Sequence, residues 1–251
     1  MKSNQKTKLT KVPALEKGLD ILEFFSRSEI SYSLSQIAKE LSLTVSEIQR
    51  PVQYLLQRGY LYRDPSGSFR LSSKLFFIAH HYPSHQRLLS VALPAMKWFT
   101  HETELSVHFS VKQGIDLVII GQIESQTRAR ITIQNGLSLD LFTTASGKVL
   151  LAHLPSEIQK ILTSQNKFSP GEKSILQAQI DSILKKGFIC SESHYYDGLS
   201  DLAVPLIDTA TQTIHGVLAT SWINPRGKSI PQPFIIEKLK ETSQKIVESW
   251  S

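Results

Sequence analysis

The chain has 251 residues, 41% of them hydrophobic and 20% charged, with a formal net charge of +6. That length allows one large domain or two smaller ones, and no uninterrupted apolar run approaches the ~20 residues a membrane-spanning helix needs. The lone cysteine, Cys190, excludes an intrachain disulfide and a multi-thiolate zinc site, and reads as a small buried apolar side chain.

Residues 1–11 carry Lys2, Lys6, Lys8 and Lys11 without an apolar segment, which predicts a basic disordered tail on a cytoplasmic protein rather than a secretory leader. Residues 1–75 hold 12 Lys plus Arg against 7 Asp plus Glu, a net +5, whereas residues 76–251 hold 16 against 15. The excess positive charge therefore lies in the first third, where it attracts a polyanion such as DNA over a Debye length of ~10 Å. Charge alone fits a solvated surface equally well.

Ala14, Leu15, Leu19, Leu22 and Phe25 recur at helical spacing and predict a first helix with this stripe buried and Glu16, Lys17, Asp20 and Glu23 opposite. Ser33 and Gln36 have the form of a capping box ahead of Leu34, Ile37, Ala38 and Leu41, which predicts a second helix. After a short turn at Ser42 and Leu43, Thr44 and Glu47 repeat the signature, and Ile48, Val52, Leu55 and Leu56 mark the buried side of a third. Two short helices across a tight turn predict a helix-turn-helix. Gly59 is placed to end the third helix, Tyr60, Leu61 and Tyr62 have strand character, and Asp64, Pro65, Ser66 and Gly67 turn the chain before Ser68, Phe69, Arg70 and Leu71 return. Three helices and a basic hairpin make a winged helix.

In such a module the third helix enters the major groove, while turn and wing hold phosphates on either side. Val45, Ser46, Gln49, Arg50 and Gln53 lie off the buried stripe, and Arg and Gln can hydrogen-bond guanine and adenine edges. Glu47 is placed to cap the helix instead. Ser35, Gln36 and Thr44 at the helix starts, with Arg63, Ser68 and Arg70 of the wing, complete the predicted DNA-binding set. The competing reading is a solvated basic face; three helices, a wing and a local charge excess together favour DNA.

The order of residues resembles the IclR family of bacterial transcriptional regulators over almost the whole chain. VPALEKGLDILEFF at 12–25 is similar to the family's first helix, LSQIAKELSL at 34–43 to its second helix and turn, and RGYLYRDPSGSFRLSSKL at 58–75 to its wing running into a linker helix. The resemblance implies a homodimer, often paired into tetramers, that binds palindromic double-stranded operator DNA and responds to a small organic effector. Pro51 departs from the pattern, because a proline inside a helix removes a hydrogen bond and costs about 3 kcal/mol. A kink is therefore expected between Arg50 and Gln53.

Residues 75–85 and 88–103 look helical on either side of Pro83, as a linker and then the first helix of a second domain. Leu105, Val107, Phe109 and Val111 alternate with Ser106, His108 and Ser110, predicting a strand with one apolar and one polar face. Further strands are predicted at 117–120, around Ile131 and Ile133, and at 188–190, 202–207 and 217–223, with helices at 146–154, 174–186 and from 234 to about 249. The expected organisation is an α+β protein: tail 1–11, winged helix-turn-helix 12–72, linker helix 73–87 and an α+β domain 88–251. The resemblance implies that this last domain is a GAF-like sheet holding the effector pocket.

From the same resemblance, LFTTASGKVLLAHLP at 141–155 places Ala145, Ser146 and Gly147 beside the effector, at a helix start whose free amides favour an anion. SESHYYDGLSDLAVPL at 191–206 supplies Ser191 and Asp201 as polar contacts, and LATSWI at 218–223 supplies Ala219 and Ser221, whose facing a one-residue slip would reverse. Asp201 stands where the family often has cysteine, and Ser191 where an acidic residue is common. An unpaired carboxylate repels a carboxylate ligand and is costly to bury. The sequence therefore predicts an effector other than a simple small carboxylate, with an amine or hydroxyls, unless a neighbour neutralises Asp201.

Neither G-x-S-x-G nor another local nucleophile signature appears. Ser146, Gly147 and Lys148 lack the earlier glycine of a phosphate loop, and Val149 replaces its hydroxyl residue. His80, His81 and His85 could approach a metal, but Pro83 interrupts the helix that would align them. No catalytic residue, cofactor or metal is predicted, and Phe76, Phe77, Trp98 and Phe99 read as core or dimer contacts. The alternatives to a ligand-responsive regulator are a hydrolase-like enzyme with an appended nucleic-acid-binding module and a purely structural DNA binder. Turnover, and the response of DNA binding to a small molecule, distinguish the three.

Overall fold

The computed structural model describes residues 12–80, 83–114, 116–128, 130–208, 210–223 and 232–250. The chain divides into two compact units after Pro83. In the first, α1 (Pro13–Ser26), α2 (Leu34–Glu40) and α3 (Val45–Gln57) precede a hairpin of β1 (Leu61–Arg63) and β2 (Phe69–Leu71), and α4 (Lys74–His80) follows. Ile21, Phe25, Ile37, Ile48, Val52, Leu61 and Phe69 are central to its core.

The buried face of α1 keeps the far end of the predicted stripe, Leu22 and Phe25, but not its start. Leu15 and Leu19 are half exposed and Ala14 is exposed, whereas Ile21 and Phe25 are fully buried. The side that meets α3 and β2 runs through Gly18, Ile21 and Phe25, where Phe25 packs edge-on against Tyr32 with ring centroids 5.8 Å apart. Ser42, in the left-handed region at φ 55°, makes the tight turn between α2 and α3, closed by the Leu43 amide donating to the Ala38 carbonyl at 2.8 Å. Helix α3 continues unbroken through Pro51. Ile48 before the proline and Val52 and Leu55 after it are all buried, and this shared face holds the helix together where one backbone bond is missing.

The second unit comprises α5 (Pro83–Thr103), β3 (Val107–Gln113), β4 (Asp116–Ile123), β5 (Ser138–Asp140), α6 (Ala145–Ala152), α7 (Ser156–Gln165), α8 (Pro170–Lys186), β6 (Ile189–Glu192), β7 (Leu199–Ile207), β8 (Ile214–Ile223) and α9 (Gln232–Trp250). The strands form one antiparallel sheet in the order β5-β4-β3-β8-β7-β6. On one face, Met96 and Phe99 of α5 and Ile235 and Leu239 of α9 pack against Phe109, Leu202, Val204 and Leu218. On the other, Val149 of α6 and Ile180 of α8 join Leu117, Ile119, Ala203 and Val217.

Several expectations change. Helices α4 and α5 lie on either side as expected, but Pro83 itself opens α5, as suits a residue whose missing N–H is not needed in a first turn. Ile131 and Ile133 lie in a loop, and β5 comes later, at Ser138–Asp140. Helix α8 begins at Pro170, four residues ahead of the predicted start, behind a Ser169 and Glu172 capping box, and α7 was not anticipated. The polar side of β3 is interior: His108 and Ser110 are buried like Val107 and Phe109. Phe99 is buried and Trp98 half-buried, while Phe76 and Phe77 are mostly exposed.

Candidate functional site

All the predicted helix-borne DNA contacts are exposed: Ser35 and Gln36 on α2, Thr44 before α3, and Val45, Ser46, Gln49, Arg50 and Gln53 along it. Glu47 is committed elsewhere. Its carboxylate accepts hydrogen bonds from the Thr44 amide at 2.9 Å and the Thr44 hydroxyl at 2.7 Å, and pairs with Lys17 Nζ at 3.0 Å. These partners, the Thr44 amide foremost, hold its pKa down to about 2. Gln36 is divided: its Oε1 accepts from the Ser33 amide at 2.8 Å and hydroxyl at 2.9 Å, which leaves its amide nitrogen as a donor.

The wing residues differ from one another. Arg63 is exposed, with its guanidinium 4.8 Å from the centre of the Phe69 ring. Ser68 is half-buried, its amide donating to Asp64 Oδ1 at 3.0 Å, an oxygen that also accepts from the Ser66 amide and hydroxyl. Arg70 donates to the Glu29 carbonyl, so its charge is fastened to the loop before Tyr32. Two further cations escaped the sequence reading. Arg58 donates to the Tyr54 hydroxyl at 2.8 Å, and Lys74 Nζ lies 4.7 Å from the Tyr60 ring centre. The Tyr54 to Arg58 spacing of one helical turn was the available signal.

In the second unit a cavity of about 340 Å³ lies against the sheet. His108 of β3, Asp201 of β7, Ala219 and Ser221 of β8, and Ala145 and Ser146 of α6 border it, with Ile131, Ile133, Tyr195 and Tyr196 from two loops. Five predicted effector residues, Ala145, Ser146, Asp201, Ala219 and Ser221, thus line one space although they come from three segments. Gly147 and Ser191 do not line it. A Cβ at Gly147 would come within 2.5 Å of the Asp140 carbonyl oxygen and the Leu141 backbone, so this glycine lets α6 lie against the chain that precedes it. Ser191 pairs with Asp201 from β6, one of the two edge strands.

Asp201 faces Ser221 across β7 and β8, and the Ser221 hydroxyl donates to Asp201 Oδ1 at 2.6 Å. No Lys or Arg borders the cavity among the described residues. His108, absent from the sequence-derived set, pairs with Ala219, is 6% exposed, and has no hydrogen-bond partner at Nε2 among the described residues. Burial lowers its pKa to about 4, so the ring is neutral at pH 7. Cys190, beside Asp201's neighbour on β6, is half-buried rather than fully buried, its thiol pushed up by burial and then by the Asp201 charge.

Two opposing fields reach this space. The start of α6 favours an anion by about 0.3–1 kcal/mol, and one early amide, that of Gly147, is already taken by the Thr144 hydroxyl at 3.0 Å. A ligand carboxylate about 5 Å from Asp201 would be repelled by about 3 kcal/mol at an effective dielectric of ~20. Asp201 therefore sets the sign of the site. Among the described residues no group of three or more His, Cys, Asp or Glu is placed to hold a metal, and none of the described helices is long and apolar enough to cross a membrane. The side chains of His80, His81 and His85, like the tail 1–11, lie outside the described residues.

Comparison with known proteins agrees with this geometry. Residues 80–248 match the family described as "Bacterial transcriptional regulator IclR C-terminal", and residues 14–65 match the "IclR helix-turn-helix domain". The HTH-type transcriptional repressor AllR of Klebsiella pneumoniae is 28% identical over 242 residues, 93% of this chain and 88% of that protein. AllR of Escherichia coli K12 is 26% identical over 211 residues, 81% of this chain and 78% of its own. Thermotoga maritima IclR shares the fold with a TM-score of 0.74 at 22% identity, covering 96% of this chain and 99% of that one. An IclR homolog of Microbacterium hydrocarbonoxydans complexed with 4-hydroxybenzoate gives 0.73 at 20% identity, covering 94% and 98%.

Proposed function

The chain belongs to the IclR family of bacterial transcriptional regulators, and on that premise we propose that its first unit reads an operator while the cavity of its second unit binds the molecule that sets operator affinity. The observation that carries this is the coexistence, in one chain, of an exposed polar face on α3 and a largely apolar cavity into which His108, Asp201 and Ser221 bring a few polar groups. Residues 12–72 act as the DNA-binding domain, 73–87 as the linker and 88–251 as the effector-binding domain. Val45, Ser46, Gln49, Arg50 and Gln53 enter the major groove. Ser35, Gln36, Thr44, Arg63, Ser68 and Arg70 hold phosphates.

In the cavity, Ala145, Ser146, Asp201, Ala219 and Ser221, joined by His108, contact the effector, and Gly147 and Ser191 support them from outside. The protein works in the cytoplasm as a homodimer that can pair into a tetramer, matches a palindromic operator, and turns nothing over. The effector must favour one arrangement of the assembly, since equal affinity for two arrangements shifts neither.

The test is selection of bound sequences from random DNA by the purified full-length protein, then titration of any enriched site at two salt concentrations. An enriched palindrome whose affinity falls steeply with salt is expected. Absence of enrichment, both alone and with a small-metabolite mixture, overturns the operator reading.

A further inference from the structure

We infer that the molecule this cavity takes is a compact nitrogenous compound that presents a positively charged, N–H-donating group to Asp201, and not a carboxylate. The inference rests on the reading of the cavity as the effector site. Among the described lining residues Asp201 alone carries a carboxylate, and none carries an ammonium or guanidinium. Ser221 occupies Asp201 Oδ1 at 2.6 Å, and Oδ2 has no hydrogen-bond partner among the described residues. A partly buried carboxylate with one oxygen open and no cation beside it leaves the place of a positive partner to the ligand.

The remaining walls agree. Among the described lining residues His108 is the only side chain able to become a cation, and burial keeps it neutral. It therefore offers no standing positive charge to a carboxylate ligand. Tyr195 and Tyr196 line the same cavity yet are 57% and 71% exposed, so they stand at its opening, where aromatic faces attract cations. A volume of about 340 Å³ is at the small end of ligand sites, roughly 300–1,000 Å³, and suits a molecule of one ring with a short substituent.

Three probes of nearly one shape separate charge from fit: benzamidine, benzamide and benzoate, titrated by calorimetry into the full-length protein and into Asp201→Asn and Asp201→Ser. The expected result is benzamidine binding at least tenfold tighter than benzoate, with benzamide between, and a ratio below threefold in whichever variants keep the wild-type thermal midpoint. Benzoate binding to the wild type as tightly as benzamidine, no detectable benzamidine binding, or a ratio unchanged in the variants overturns the inference. Operator titrations with the same probes keep the two readings apart. If benzoate alone binds and shifts operator affinity, the ligand class is wrong and the cavity remains a sensor. If benzamidine binds as expected and operator affinity is unmoved, the ligand class stands and the sensing reading falls.

Discussion

Glu47 closes the start of α3 with one carboxylate oxygen and holds Lys17 of α1 with the other, at 3.0 Å. The same side chain therefore caps the recognition helix and ties it to the first helix, and its pKa is held at about 2 against an ordinary 4.5. A depressed carboxylate pKa contributes stability that is present above the ordinary value and lost as pH falls toward the folded one. Thermal unfolding of wild type should accordingly lose midpoint between pH 4.5 and 2, and Glu47→Gln should have a lower midpoint at pH 7 and a shallower loss below 4.5. Parallel curves would separate Glu47 from the acid response and leave Asp64, also held at about 2, as its source.

Three of the arginines of the first unit, Arg50, Arg63 and Arg70, should behave differently on operator DNA. Arg50 is exposed on α3, so Arg50→Ala should cost about 1–3 kcal/mol and relax specificity at one base position; a loss below about 0.5 kcal/mol would return it to solvated surface. Arg63→Ala should weaken binding across all sequences and reduce the salt slope by about 1. Arg70 is bound to the Glu29 carbonyl, so Arg70→Ala should lower the thermal midpoint more, and DNA affinity less, than Arg63→Ala. Titrations of the three variants on one site at two salt concentrations check the order.

Pro51 costs α3 the backbone bond to Glu47 without interrupting the helix. Pro51→Leu restores an amide donor, worth up to about 3 kcal/mol in a helix interior, and should raise the thermal midpoint. The proline is half-buried, so the new side chain has a neighbouring surface to cover. An unchanged or lower midpoint would mean that the proline ring packs well enough to offset the missing bond.

What was legible in the sequence followed local chemistry. Ser33 with Gln36, and Thr44 with Glu47, announced two helix starts because capping couples residues three apart and needs no tertiary partner. On α1 the stripe holds at Leu22 and Phe25 but not at Leu15 and Leu19, which are as apolar as Ile21; only the positions of α3 and β2 decide which of them is buried. His108 was passed over for a related reason. Its alternation with Val107 and Phe109 shows a polar side of β3 but not what covers that side, and here it is the cavity and its loops. Gly147 and Ser191 sit one step outside the cavity, a distance that motif likeness cannot resolve because neighbouring positions share the same segment.

His108 gives the second unit its own acid response, opposite in chemistry to that of Glu47. Its folded pKa, about 4, lies below the ordinary 6.5, so the unfolded chain binds the proton more readily. Stability should then fall as pH drops from about 6.5 to 4, by about 3 kcal/mol in all. His108→Leu removes the group from an interior where its Nε2 has no partner among the described residues, and replacing an unsatisfied buried polar group with an apolar one costs little. The variant should match or exceed wild type at pH 7, and the gap in its favour should widen as pH falls to 4. Thermal midpoints taken at pH 7.5, 6.5, 5.5 and 4.5 decide it: a constant gap would show that the ring is solvated and protonates in the native state, which would also return to the cavity the cation that the charge argument at Asp201 excludes.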